Sequence, residues 1–111
     1  MKKSTRRLVF ERDNMLCVSC GSSDLTIQHR ISKGMGGSKI LDSPSNLLTL
    51  CLLCNERLES DAEFAALGKR FGWKLHRNRD VIPSNERCWY PADGRWWLLD
   101  DEGNRIEYEQ V

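Results

Sequence analysis

The sequence predicts an α+β fold in which a strand pair and a helix are followed by an antiparallel β meander. Three observations support it: two cysteine pairs of identical spacing, a segment of period two between them, and a tryptophan-rich C-terminal third divided by turn residues. At 111 residues the chain is expected to form one domain, because two separate cores would each be too small to be stable.

The composition is that of a soluble globular protein, with 40% hydrophobic and 30% charged residues and a mean hydropathy of −0.55. No apolar run approaches the ~20 residues that a membrane span needs. The basic start "MKKSTRRLVFERDN" is not followed by the apolar core of a signal peptide. We therefore expect an intracellular protein without a membrane partner.

Charge is divided unevenly along the chain. Residues 1–79 carry 14 Lys/Arg against 8 Asp/Glu, a balance of +6, whereas residues 80–111 carry 3 against 8, a balance of −5. A basic front part suits a phosphate-rich partner such as nucleic acid. Solvated surface charge is the alternative that this pattern leaves open.

Four of the five cysteines form two CxxC pairs, Cys17/Cys20 in "CVSC" and Cys51/Cys54 in "CLLC". In an intracellular chain such cysteines are more often metal ligands or catalytic groups than disulfides. Each pair can form a tight knuckle, and two knuckles complete a tetrahedral structural zinc site. Disulfides or a redox role for the CxxC pairs are the alternatives. Cys88 has no such partner and is predicted to be a core thiol.

The segment between the pairs contains a strand, a loop and a second apolar run. "DLTIQHRI" alternates apolar residues and His29 on one side, which is typical of a β-strand. "SKGMGGSK" combines three glycines with two lysines and predicts a loop that can approach another molecule closely. From Leu52 a single helix is predicted to continue to Arg70 and to stop at Gly72.

The stretch "CVSC…IQHR…KGMGGSK…SNLLTLCLLCNERLE" resembles the HNH endonucleases of the zinc-bracketed bacteriophage type, over about residues 12–75. The resemblance implies a small zinc-stabilised ββα-metal core within residues 1–79. Residues 80–111 would then be a C-terminal β appendage packed on the same domain. It also implies a phage origin, a place in the cytoplasm of a bacterial host, and other phage proteins as candidate partners.

Cleavage of a phosphodiester requires a base that activates water and an electrophile that stabilises negative charge. Imidazole titrates near neutrality, so His29 suits the base, and the resemblance implies that role. Asn46 matches the family's middle asparagine, which ties down the loop and orients the base. Asn55 stands where the family commonly has a metal-binding histidine, which makes the chain an HNN variant.

The resemblance implies a catalytic divalent ion at Asn55, with Gln28, the residue before the base, as a second candidate ligand. Glu59 follows Asn55 by one helical turn, so both would share a helix face. Oxygen ligands of this kind favour Mg²⁺ or Mn²⁺ over Zn²⁺. For Gln28 and Glu59, a surface role without metal is the open alternative.

Basic residues around these positions are expected to contact DNA phosphates: Arg30, Lys33, Lys39, Arg57, Lys69, Arg70 and Lys74. None of them implies base reading, so we expect DNA binding mainly through the backbone, with weak sequence preference. The alternative function is a non-catalytic four-cysteine zinc module that binds nucleic acid or a protein.

The C-terminal part predicts three short strands, "RCWY", "RWWLLD" and "RIEYEQ", separated by the turns "PADG" and "DEGN". Its acidic surface would suit DNA poorly. We interpret it as a packing or partner-docking element.

Overall fold

The computed structural model describes residues 1–32, 39–78 and 80–109. Within them the α-helices are α1 (Lys3–Arg12), α2 (Leu52–Ser60) and α3 (Ala62–Phe71). One antiparallel sheet pairs β1 (Thr26–His29) with β2 (Leu47–Leu50), and a second has the sequential order β3 (Cys88–Tyr90), β4 (Arg95–Leu99) and β5 (Arg105–Glu107). The predicted α+β class and C-terminal meander are confirmed.

The β1–β2 hairpin lies between α1 and α2. Strand β2 is buried along its whole length, and the Thr49 hydroxyl donates to the Val9 carbonyl of α1. Thr49 lies opposite Ile27 in the register, so the two side chains are on the same face of the hairpin, and that face points toward α1. His29 shares that face, whereas Gln28 shares the opposite face, on which α2 packs.

The prediction of one helix from Leu52 to Arg70 is wrong, because Asp61 divides it into α2 and α3. Asp61 has an extended backbone (φ −113°, ψ 108°), and its carboxylate accepts the N–H groups of Glu63 and Phe64 as the N-cap of α3. Gly72 ends α3 as predicted, with φ +77°. A side chain there would also collide with the Arg87 carbonyl, so the stop is fixed by packing as well.

The meander shares one core with the preceding elements. The Trp73 indole N–H donates to the Trp89 carbonyl at 2.9 Å, and the Phe71 and Trp73 rings lie 5.2 Å apart. Cys88 is fully buried, which confirms the predicted core thiol, and burial raises its pKa to about 11. No helix in the described ranges is long and apolar enough to cross a membrane.

Candidate functional site

The four CxxC cysteines converge. Their sulfur atoms all lie within 4.8 Å of one another, and the Cys20 and Cys51 sulfurs are 3.7 Å apart. A tetrahedral zinc site with Zn–S bonds of about 2.3 Å places its sulfurs about 3.8 Å from each other. A disulfide would require about 2.05 Å. The cluster therefore fits a metal ion such as zinc.

Local backbone geometry forms both knuckles. In the first, the Gly21 N–H donates to the Cys17 carbonyl at 2.8 Å, and Gly21 adopts φ +80°, which favours glycine. In the second, Cys51 is the N-cap of α2, and its sulfur accepts the Cys54 N–H at 3.4 Å. The spacing of each pair thus turns both thiols toward the same point.

The protonation of the thiols would change if a metal ion bound. Burial raises the pKa of Cys17 and Cys54, whereas the backbone N–H of Ser22 lowers the pKa of Cys20. Burial alone would therefore keep two of the ligands protonated. A bound cation favours their thiolates, so metal binding and proton release are coupled.

The cysteine cluster brackets the hairpin. The Val18 N–H of the first knuckle donates to the Thr49 carbonyl of β2 at 2.9 Å, while the second knuckle begins α2. The cluster thus joins the chain before β1, strand β2 and helix α2.

Asn46 fixes the chain on both sides of the glycine-rich stretch. It is fully buried, and its amide oxygen accepts the Ile31 N–H at 2.8 Å. Its amide nitrogen donates to the carbonyls of Ile31 (3.1 Å) and Leu41 (2.9 Å). These hydrogen bonds fit the loop-tying role that the resemblance implies.

His29 ends β1 and pairs with an acidic residue that no sequence pattern indicated. Its Nε2 lies 2.9 Å from Oδ1 of Asp42, and the two side chains are 23% and 18% exposed. The other Asp42 oxygen is 3.8 Å from the Met1 amine. Asp42 comes from the turn before Pro44, where no local spacing marks it as a partner of His29.

Asn55 is oriented by both of its amide N–H groups. They donate to the Thr26 hydroxyl at 2.9 Å and to the Ile27 carbonyl at 3.1 Å. The Thr26 hydroxyl itself donates to the Leu50 carbonyl, so it can only accept from Asn55. The Asn55 oxygen is consequently the amide atom that has no hydrogen bond within the described residues.

Asn55 and Glu59 line a common surface groove of about 400 Å³ on α2. The Glu59 side chain is 67% exposed and lies 3.7 Å from the Lys74 ammonium. The groove lining described by the structure is Leu52, Asn55, Glu56, Glu59 and Ser60. The i, i+4 spacing has therefore brought an amide and a carboxylate together, as expected.

Gln28 lies outside this groove lining. It is 6% exposed and shares the α2 face of the hairpin with Thr26, and its side-chain amide makes no hydrogen bond to any residue that the structure describes. Among the described residues, Trp97 Nε1 is the one fully buried side-chain polar atom without a partner, so the Gln28 amide keeps some contact with water. Gln28 and Glu59 therefore do not share this groove lining.

The prediction that Arg30 contacts DNA is wrong. Arg30 is fully buried, and its guanidinium donates to four backbone carbonyls at 2.7 to 3.0 Å: Ser45, Gly72, Pro83 and Glu86. These carbonyls belong to the turn before β2, the end of α3 and the segment before β3. The buried Arg30 side chain therefore links residues 1–79 to the segment that leads into β3.

Three of the basic residues remain at the surface. Lys69 and Arg70 are exposed on α3. The Arg57 guanidinium lies 4.2 Å from the centre of the Phe64 ring and 3.4 Å from the Asp61 carboxylate, with 44% of its side chain exposed. Arg57 is thus partly neutralised, whereas Lys69 and Arg70 are the better candidates for binding phosphate.

Lys74 is bound to the protein. Its ammonium donates to the Leu58 carbonyl at 2.9 Å, in the last turn of α2, and lies near Glu59. With 24% of its side chain exposed, Lys74 stays a prediction as a DNA-contacting residue. The predictions for Lys33 and for the Lys39 side chain lie outside what the structure describes.

The fold and the site together define a small α+β protein with a cluster of four cysteines that could hold a metal ion and that brackets a β-hairpin. Comparisons with protein-family models, with curated proteins and with solved structures found no match.

Proposed function

We propose that the chain is an HNH-type endonuclease that hydrolyses DNA phosphodiesters, with a ββα-metal core made of β1, β2 and α2. The observation that carries the proposal is the setting of His29. It is a partly exposed imidazole at the end of a hairpin strand, in a segment that a buried asparagine holds on both sides. A fixed imidazole that water can reach is the group that general-base hydrolysis requires.

In this function His29 takes a proton from the water that attacks phosphorus. A catalytic Mg²⁺ or Mn²⁺ would supply positive charge to the phosphate and to the leaving 3′ oxygen. The free Asn55 oxygen and the Glu59 carboxylate are the residues that would hold it, and they fit because hard cations prefer oxygen ligands. Gln28 is a further candidate through its unpartnered amide. The four-cysteine zinc centre is structural, since it keeps no open coordination position.

We expect zinc-loaded protein to cut plasmid DNA only when Mg²⁺ or Mn²⁺ is added, and His29→Ala to cut at least about 100-fold more slowly. The slower cutting follows from removal of the base. The chain has only one other histidine, His76, which is exposed, so His76→Ala is the matched control and should cut at the wild-type rate. Agarose gels of supercoiled, nicked and linear plasmid measure all three proteins.

A non-catalytic zinc module that binds nucleic acid or protein is the second candidate. The two hydrogen bonds of Asn55 to β1 favour it, because a residue that only joins a helix to a strand would make the same bonds. Equal DNA binding by wild type and His29→Ala, with no cutting under either metal, would overturn the nuclease proposal in its favour.

Single substitutions Lys69→Gln and Arg70→Gln should each lower the salt dependence of DNA binding. For each phosphate that the protein no longer neutralises, the slope of log K against log salt concentration becomes shallower by about 0.9. Arg95→Gln removes the same charge from the acidic meander, where Arg95 lies 3.1 Å from Glu107, and should leave the slope unchanged. Fluorescence anisotropy over a salt series provides the slopes. Equal slopes in all variants would exclude α3 from the interface.

A further inference from the structure

We infer that Asp42 is the positioning residue of His29, and that it fixes the imidazole so that Nδ1 is the atom that takes the proton from water. The inference rests on the proposed nuclease function and assigns to it a residue and a reacting atom.

The assignment follows from the hydrogen bond between the two side chains. Nε2 of His29 lies 2.9 Å from Oδ1 of Asp42, and an ionised carboxylate can only accept a hydrogen bond. Nε2 must therefore carry a proton. A neutral imidazole has one N–H and one lone pair, so the lone pair is on Nδ1. Nδ1 makes no hydrogen bond in the described part of the chain, and the side chain is 23% exposed.

The geometry of the pair is maintained from both sides by Asn46. Its amide binds Ile31, two residues after His29, and the carbonyl of Leu41, one residue before Asp42. The Asn46 N–H also donates to the Ser43 carbonyl at 2.9 Å. Asn46 thus holds the segment that carries Asp42, and Asp42 in turn orients His29. This is how Asn46 would perform the orienting role expected of it.

The step balances with water as the only co-reactant. Nδ1 accepts one proton from water while the water oxygen forms a bond to phosphorus. The bond from phosphorus to the 3′ oxygen breaks, its electron pair stays on that oxygen, and the oxygen takes a proton from solvent. The imidazolium then returns its proton to solvent. Asp42 stays ionised throughout and stabilises the imidazolium by its hydrogen bond.

The first test is the kinetics of Asp42→Asn. An amide can donate as well as accept, so the ring is no longer confined to one tautomer. We expect kcat to fall about 100-fold or more, as when the aspartate that orients a catalytic histidine is replaced by asparagine. KM should stay within about threefold, because the ground-state binding of DNA is not altered. Asp80→Asn, at an exposed carboxylate, is the matched control and should keep the wild-type kcat.

The second test reads the ring directly and does not depend on activity. Protein labelled with ¹⁵N-histidine has two rings, and a His76→Gln variant assigns the spectrum. In the wild type, two-bond ¹H–¹⁵N correlations should show a protonated Nε2 and an unprotonated Nδ1 for His29. In Asp42→Asn the two tautomers should mix. Zinc content and the urea midpoint of each variant establish that it is folded.

The outcomes separate the inference from the function. If wild type cuts, His29→Ala does not, and Asp42→Asn retains the wild-type kcat, the inference is overturned and the nuclease stands. A wild-type ring protonated on Nδ1 also overturns it. A wild-type protein that cuts nothing with Mg²⁺ or Mn²⁺ overturns the function and, with it, the role of Nδ1. A merely structural Asp42 would lower the urea midpoint without mixing the tautomers.

Discussion

Replacing Cys51 by serine is expected to leave the protein unfolded. A structural zinc site contributes on the order of 10–16 kcal/mol to folding, whereas the net stability of a domain is about 5–15 kcal/mol. Cys51 is one of the four clustered cysteines that could hold the ion, and the cluster joins the chain before β1, strand β2 and helix α2. Serine can still cap α2, so the expected unfolding follows from loss of the thiolate and not from loss of the cap. Circular dichroism and zinc content measure the effect.

The matched control is Cys88→Ala, which removes the one cysteine outside the cluster. Cys88 is buried in the core, so this variant should be moderately destabilised and still bind one zinc ion per chain. Folded, zinc-free Cys51→Ser protein would contradict the structural role of the metal. Chelation of wild type should reproduce the unfolding, and Zn²⁺ but not Mg²⁺ should reverse it, which would distinguish a structural ion from the proposed catalytic one.

The clustering of the four cysteines and the strands could be predicted because their signals are local. A spacing of two residues between thiolates favours a knuckle that depends little on the rest of the fold. The 3.7 Å distance between the Cys20 and Cys51 sulfurs then requires only that the two knuckles lie next to each other. The strands of the meander were bounded by turn residues on each side, and the hairpin strand β1 by its period of two.

Helix α1 was not predicted because its attachment is polar and long-range. Only Val9 and Arg12 are buried in it, so no apolar stripe marks it in the sequence. Arg12 donates to the carbonyls of Pro44 (2.8 Å) and Leu47 (2.6 Å), which follow it by more than 30 residues. The residues that stabilise this helix therefore lie far from it in the sequence, so the local sequence does not predict it.

The error at Arg30 has a different cause. Its position next to His29 suggested that it would face the same substrate, but successive residues of an extended chain point to opposite sides. His29 faces α1, so Arg30 continues on the face of Gln28, toward the core. The alternation of side chains along the strand therefore predicted an inward-facing Arg30, but its charge suggested a surface position. Asp42 could not be found in this way, because the fold alone brings it to His29.

The burial of Arg30 leads to the second large expected effect, the destabilisation of Arg30→Ala. Its side chain is a buried cation whose hydrogen bonds in the described residues all go to carbonyls, and burial lowers its pKa. Removing it leaves the carbonyls of Ser45, Gly72 and Glu86 without a donor in the described residues, at about 1–3 kcal/mol each, so the free energy of unfolding should fall by at least about 3 kcal/mol. The Pro83 carbonyl keeps the Glu86 N–H as a donor, at 3.1 Å.

Urea unfolding at fixed zinc concentration measures this decrease. Arg30→Lys should recover little of it, because an ammonium lacks the planar fork that reaches four carbonyls at once. Arg70→Ala removes the same charge from the surface of α3 and should change stability by no more than about 0.5 kcal/mol. A DNA-binding role for Arg30 would give the reverse pattern, with weaker binding at unchanged stability. Because the guanidinium is fully enclosed, we expect Arg30→Ala to lower the free energy of unfolding and to leave the DNA affinity of the folded protein unchanged.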